Sequence, residues 1–187
     1  MRALDADEFE VIPVGIATNG RWVMSAVDPD SLVISDGVLP TVVVDDPGAT
    51  ASPDPTQEFL GGVDVVFPVL HGPWGEDGTV QGLLELAGVP YVGSGVMSSA
   101  ATMDKAVMKA LLLAAGLPVG PYEVITDAQW RSDRDACVER AAALGLPVFV
   151  KPARAGSSIG ITKVQESADL IPAIEAAREH DPKVIVE

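Results

Sequence analysis

The sequence predicts an α/β fold, because short runs rich in Val and Ile alternate along the chain with Ala- and Leu-rich stretches of helical period. Two further observations point the same way. Residues 63–70 form an apolar run so continuous that it reads as a strand buried on both faces of a largely parallel sheet. Gly88 and Gly116, the second followed by Pro118, stop helical stretches. Glycine accepts the left-handed conformation at a helix end, and proline has no amide hydrogen with which to continue the ladder.

In chain order, residues 10–16 read as the first strand and 63–70 as a second. Between them, residues 31–62 are polar and rich in Pro and Asp, with one candidate strand at 41–44 and a loop at 45–56. Residues 79–87 read as a helix and 100–115 as a longer one. Beyond Gly116 the expected order is strand 122–125, helix 133–144, strand 147–152, strand 161–164, helix 167–179 and a final strand at 184–187. The strands at 147–152 and 161–164 are expected to form an antiparallel pair joined by a Gly/Ser-rich turn. The Gly93-Ser-Gly95 triplet marks a domain boundary, giving domains 1–94 and 95–187.

The 187 residues, 48% of them hydrophobic, suffice to bury a core in one large domain or two small ones. A formal net charge of −15 argues against nucleic acid as a partner, since the summed field repels a polyanion. It also makes any phosphate site a local matter of the cations beside glycine-rich segments, namely Lys105, Lys151, Arg154 and Lys163. Cys137 has no partner for a disulfide or a zinc site and reads as a structural thiol in a reducing compartment. No apolar run is long enough to span a bilayer, and the first residues lack the pattern of a signal peptide, so a soluble, cytoplasmic protein is expected.

Three segments carry chemistry. Lys151-Pro-Ala-Arg-Ala-Gly-Ser-Ser-Ile-Gly160 combines glycines whose backbone can approach an anion, two hydroxyl donors, and Lys151 and Arg154 as cations. It lacks the Gly-Lys-Ser/Thr ending of a Walker loop and leads into a strand rather than a helix, and an exposed hairpin loop with a chance lysine is the competing reading. His71-Gly-Pro-Trp-Gly-Glu76-Asp-Gly78 lies between a strand and a helix, where open α/β sheets bind ligands; His71 and Glu76 suit a small zwitterionic substrate. The alternative is a tight turn in which Asp77 caps the helix. Lys105, in Met103-Asp-Lys-Ala-Val-Met-Lys109, falls at the border of an apolar helix face, whereas solvated surface lysine is the default for both it and Lys109. Glu187 ends an apolar strand, where its carboxylate could accept from an amino group.

Taken in order, these segments resemble the D-alanine:D-alanine ligase family of ATP-grasp enzymes. The likeness lies in residues 65–95, in Met103-Asp-Lys105, in residues 145–160 and in Val184-Ile-Val-Glu187, and runs weakly through 31–62. It implies a Rossmann-like, parallel-sheet N-terminal domain followed by the first α+β lobe of an ATP-grasp domain, with residues 151–160 as a lid over the phosphates. It implies ATP, Mg²⁺ or Mn²⁺, two D-alanines joined through an acyl phosphate for peptidoglycan precursors, and a homodimer. By position, Lys105 and Lys151 resemble the family's phosphate lysines and Glu187 its adenine-contacting carboxylate. Ser157 resembles the lid serine that helps hold the first D-alanine, with Ser158 beside it on the nucleotide, while His71 and Glu76 resemble substrate-side residues. The family's first strand and helix with their Glu, and the later metal carboxylates, Arg and Tyr, have no counterpart here, so the chain by itself is expected to be inactive. D-Ala-D-lactate or D-Ala-D-Ser ligation, or a non-catalytic nucleotide-binding or interaction module, are the alternatives.

Overall fold

The computed structural model describes residues 4–17, 22–24, 51–52 and 60–187, in two compact units, Met1–Asp64 and Val65–Glu187. In the first unit three short strands, β1 (Val14–Ile16), β2 (Trp22–Met24) and β3 (Ala51–Ser52), pair antiparallel in that order. The expected strand at 10–16 is therefore shorter, starting at Val14. The candidate strand at 41–44 lies outside the described residues, and the only described part of the 45–56 loop, Ala51–Ser52, is strand rather than loop because it pairs with β2.

The second unit begins with residues 65–70, and here the sequence expectation fails. The run 63–70 is not a strand buried on both faces: among the described residues it makes one isolated parallel bridge, Val66 to Tyr91. Val66 N–H donates to Pro90 O and Val66 O accepts from Val92 N–H, while Phe67 and Val69 stand 67% and 73% exposed. Pro68 contributes to this outcome, since it offers no donor to a ladder.

Helix α1 (Thr79–Ala87) has the expected bounds, and Gly88 stops it at φ 70° with its N–H returning to the last turn. The expected helix at 100–115 is instead two helices, α2 (Val96–Met103) and α3 (Lys105–Ala114). Asp104 leaves the helical region at φ −88°, ψ 104°, and its carboxylate accepts from the Ala106 and Val107 amides. A short acidic side chain competes with the helix backbone for such donors, and at this position it starts a new helix.

The remainder is a four-stranded antiparallel sheet of β4 (Glu123–Ile125), β5 (Val148–Pro152), β6 (Thr162–Val164) and β7 (Val184–Val186), in the order β4-β7-β5-β6. The expected antiparallel pairing across the Gly/Ser turn is β5 with β6. Helices α5 (Arg134–Ala142) and α6 (Leu170–Arg178) supply the core with Val148, Val150, Val164, Val184 and Val186, and Cys137 is buried there as a structural thiol. Helix α4 (Asp127–Ser132), unforeseen from sequence, brings Trp130 to that core. The expected helix at 167–179 splits into a 3-10 turn, Ser167–Asp169, and α6. Among the described residues no helix is long and apolar enough to cross a membrane.

Strand periodicity now positions the site. Successive side chains of a strand point to opposite faces, so the burial of Val148, Val150 and Pro152 in β5 directs Phe149 and Lys151 to the other face. Register aligns Lys151 with Ile185, and the Phe149 and Glu187 backbones exchange N–H···O bonds, which places Glu187 on the same face as Lys151.

Candidate functional site

On this second face two lysines converge on one carboxylate. Lys151 Nζ donates to Glu187 Oε1, and Lys109 Nζ, from α3, lies 2.5 Å from Glu187 Oε2. Aromatic rings stand beneath both cations, Phe149 at 5.5 Å from Lys151 and Tyr122 at 5.3 Å from Lys109. Burial pushes the Glu187 carboxyl up, but hydrogen bonds from Lys109 and Lys151 outweigh it and hold the group below the ordinary carboxylate range.

Lys105 reaches the same region from the first turn of α3. Its Nζ donates to Ala155 O at 2.6 Å and more weakly to Pro152 O at 3.3 Å and Ala153 O at 3.5 Å. Its backbone N–H, which has no partner within the helix, donates to Ala153 O at 3.0 Å. Burial lowers the Lys105 pKa, and the neighbouring Lys151 charge lowers it further. Two like charges in a partly desolvated setting are unfavourable until an anion joins them.

Residues 151–160 leave β5 through a root that is held firmly. Arg154, a sequence candidate for gripping an anion, is instead committed to Asp181: its N–H and Nε donate to Oδ2 at 2.8 and 3.0 Å, and its terminal nitrogen to Oδ1 at 2.6 Å. The Asp181 side chain is only 4% exposed. Lys183 in turn pairs with Asp104, tying the break between α2 and α3 to the sheet. Beyond the root, Ser157, Ser158 and Ile159 are exposed, and both serines occupy left-handed conformations at φ 50° and 60°. The segment closes at Gly160, φ +66°, which sits against His180 and Pro152 so tightly that an added Cβ would meet them at 2.5 and 2.8 Å. Lys163 is exposed on β6, paired in register with Phe149.

The turn 71–78 is a self-contained piece. Glu76 Oε2 accepts from Gly72 N–H at 2.5 Å, and Glu76 N–H donates to Gly72 O. Asp77 accepts from the Trp74 and Thr79 amides and so ties the turn to the first residue of α1, whose N-cap position is Gly78. His71 and Glu76 are exposed. A groove of about 690 Å³ runs from Pro73 and Asp77 past α2 to Arg154 and Asp181. Lys105, Lys151 and Glu187 do not line it; Lys151 and Glu187 lie on the sheet face that α3 approaches, and Lys105 reaches toward them from that helix. The structure therefore gathers Lys105, Lys151 and Glu187 into one cluster, sets Ser157 and Ser158 on the exposed part of the segment that Lys105 holds at Ala155 O, and leaves His71 and Glu76 in a separate turn. Sequence reasoning left Lys109 as a surface lysine and passed over Asp104, Asp181 and Lys183; the partners of all four lie far off along the chain. Only the Asp104 position, three residues before Val107 at a helix start, carried a local signal.

Such an arrangement can bind an anion at its lysine end and accept a hydrogen bond from an amino group at Glu187. Among the described residues, no three His, Cys, Asp or Glu side chains converge so as to hold a metal ion.

Comparison with known proteins gives a consistent set of likenesses. Residues 1–94 match a family model described as D-ala D-ala ligase N-terminus, and residues 111–187 one described as D-ala D-ala ligase C-terminus. A D-alanine–D-alanine ligase of Mycobacterium sp. (strain JLS) is 53% identical over 201 residues, covering all of this chain and 53% of that protein. One from Streptomyces griseus is 49% identical over 207 residues, again covering 100% and 53%. Among solved structures, the VanG D-Ala:D-Ser ligase of Enterococcus faecalis is similar with TM-score 0.73 and 34% identity, over 100% of this chain and 55% of that one. The D-alanine-D-alanine ligase of Coxiella burnetii gives 0.75 and 30%, over 100% and 56%. The chain spans about half the length of the curated relatives it matches.

Proposed function

The chain belongs to the D-alanine–D-alanine ligase family, and from that premise we propose that it carries a nucleotide-binding part of a cytoplasmic, homodimeric ligase that joins two D-alanines at the expense of ATP. The observation that carries this reading is the Lys105, Lys151 and Glu187 cluster at the start of the 151–160 segment. The product is the dipeptide of peptidoglycan precursors. The choice of D-alanine as second substrate rests on curated relatives at 49–53% identity, all named for it.

The fit of a nucleotide to these residues is physical. Lys105 and Lys151 repel each other in a partly buried setting, and a phosphate between them turns that repulsion into two charge-assisted hydrogen bonds. Glu187, held ionised, accepts from the adenine amino group. ATP supplies the phosphoryl group that activates the first carboxylate as an acyl phosphate, which the second amine then attacks. In this reading Lys105 and Lys151 orient and neutralise the phosphates, work that is mostly positioning and electrostatics. Ser157 helps to hold the first D-alanine, Ser158 contacts the nucleotide, and the 151–160 segment excludes water from the reacting centre. His71 and Glu76 serve the substrate side of the N-terminal domain, residues 1–94, with the grasp lobe at 95–187. The Mg²⁺ or Mn²⁺ that the family resemblance implies finds no group of three His, Cys, Asp or Glu side chains among the described residues.

The test is made on the full-length protein: phosphate release from ATP that depends on D-alanine, with the dipeptide identified as product. Lys151→Met is expected to lower kcat/KM by about 100-fold or more. A protein that binds no ATP, or a Lys151→Met variant as active as its parent, overturns the proposal.

A further inference from the structure

Glu187 has two carboxylate oxygens, and each is taken by a different lysine: Oε1 by Lys151 from β5, Oε2 by Lys109 from α3. The two lysines are not equivalent. Lys151 is a neighbour of Lys105 at the start of the 151–160 segment, where the ligase reading places the phosphates. Lys109 lies one helical turn further along α3, its side chain 14% exposed and seated over the Tyr122 ring. A nucleotide that draws Lys151 toward its phosphates leaves Lys109 as the one lysine among the described residues in ion-pair contact with Glu187, with Lys105 acting on the carboxylate at longer range.

Resting on the ligase reading above, we propose that Lys109 is a positioning residue for base recognition: it holds the Glu187 carboxylate in place and charged while Oε1, released by Lys151, accepts from the exocyclic amino group of adenine. An ionised carboxylate is an acceptor only. It therefore favours a base with an amino group at this position and opposes one with a carbonyl oxygen, which would face it lone pair to lone pair. If Lys109 is removed, burial drives the carboxyl toward its neutral form, whose O–H can donate to a carbonyl. Discrimination between amino and oxo bases would then fall.

Calorimetry on the full-length protein with ATP and with ITP, which replaces the 6-amino group by oxygen, reads this directly. Lys109→Met is expected to weaken ATP binding about tenfold while changing ITP binding by about twofold or less, so the ATP/ITP preference collapses. Lys109→Arg, which keeps the charge, restores the preference, and Lys109→Gln gives a second neutral variant should the Met form fold poorly in a thermal melt. An unchanged ATP/ITP ratio in both neutral variants overturns the inference, whether or not both affinities drop together, and so does an Arg variant that behaves like Met. A parent protein that binds ATP and ITP equally well overturns it and leaves the ATP reading standing. A parent that binds neither overturns both.

Discussion

Two apolar, Val-rich segments of this chain, 63–70 and 148–152, look alike on paper and end differently. β5 has a strand on each edge, and α6 packs on it, so Val148, Val150 and Pro152 are all but sealed from solvent. Among the described residues the segment 65–70 makes a single bridge through Val66, and its Phe67 and Val69 are exposed. An apolar run specifies a tendency to be covered; burial also needs partners on the edges and a layer on the face. Both segments lead into a tight turn that carries candidate function, and the two roots differ in the same sense. The β5 root is locked by buried Asp181 on Arg154, and the 65–70 root by exposed Glu76 on its own Gly72 amide.

The largest expected effect tests the buried side of this contrast. Val150→Asp puts an unpaired carboxylate into a site with no solvent exposure and should destabilise the second unit by about 4 kcal/mol or more, or unfold it. Val69→Asp, at 73% exposure, should change stability by no more than about 0.5 kcal/mol. Urea titration of both variants in the same protein decides it. Comparable losses at the two positions would show that 65–70 is covered in solution.

What was legible from sequence divides along the same line. Signals that act within a few residues read well: Gly88 ended α1 at the expected place, and the β5–β6 hairpin with its Gly/Ser turn formed as expected. Helix α4 was readable and was missed, since Thr126 and Gln129 make a reciprocal capping box three residues apart. The interruption of 100–115 at Asp104 was harder, because the acid both caps α3 and pairs with Lys183, and that distant partner leaves no local mark. Lys105, Lys151 and Glu187 were visible through resemblance to a family, whereas Lys109 read as a surface lysine. Its contact with Glu187 exists only once α3 lies over the sheet.

A middle-sized effect compares the glycines of the two turns. Gly72, φ +73°, has open space around an added Cβ, so Gly72→Ala should cost about 1 kcal/mol from backbone strain alone. Gly160, φ +66°, adds collisions with His180 and Pro152. The exposed His180 ring can swing aside, but Pro152 is buried in β5 and cannot, so Gly160→Ala should cost about 2–3 kcal/mol. Equal losses would mean that the 151–160 segment closes more loosely against its root than this geometry requires.

The smallest effect is the most diagnostic, because it carries a pH signature. Burial pushes the Asp181 carboxyl up, yet hydrogen bonds from Arg154 and the Lys183 amide outweigh it and leave the pKa below its ordinary value of 3.8. At Asp77, burial is likewise outweighed by the Trp74 and Thr79 amides. A carboxyl whose pKa is depressed by folding contributes stability that is fully present above its unfolded pKa and is lost as pH falls through the folded one. Both contributions should therefore hold at neutral pH and fade below about pH 4. Asp181→Asn should cost about 1–2 kcal/mol at pH 7, since it gives the half-exposed Arg154 a poorer partner at the buried Asp181 position. Asp77→Asn, in a half-exposed turn where the amide oxygen can still accept from the same backbone N–H groups, should cost about 0.5 kcal/mol or less. Thermal melts from pH 7 down to pH 3 should bring the Asp181→Asn curve toward that of the parent, because below about pH 4 the unfolded carboxyl takes up a proton that the folded one resists, which erodes the parent's advantage. A gap that stays constant with pH would mean that Asp181 supports the β5 root by shape and not by charge, and the contrast between the two roots would then lose its electrostatic part.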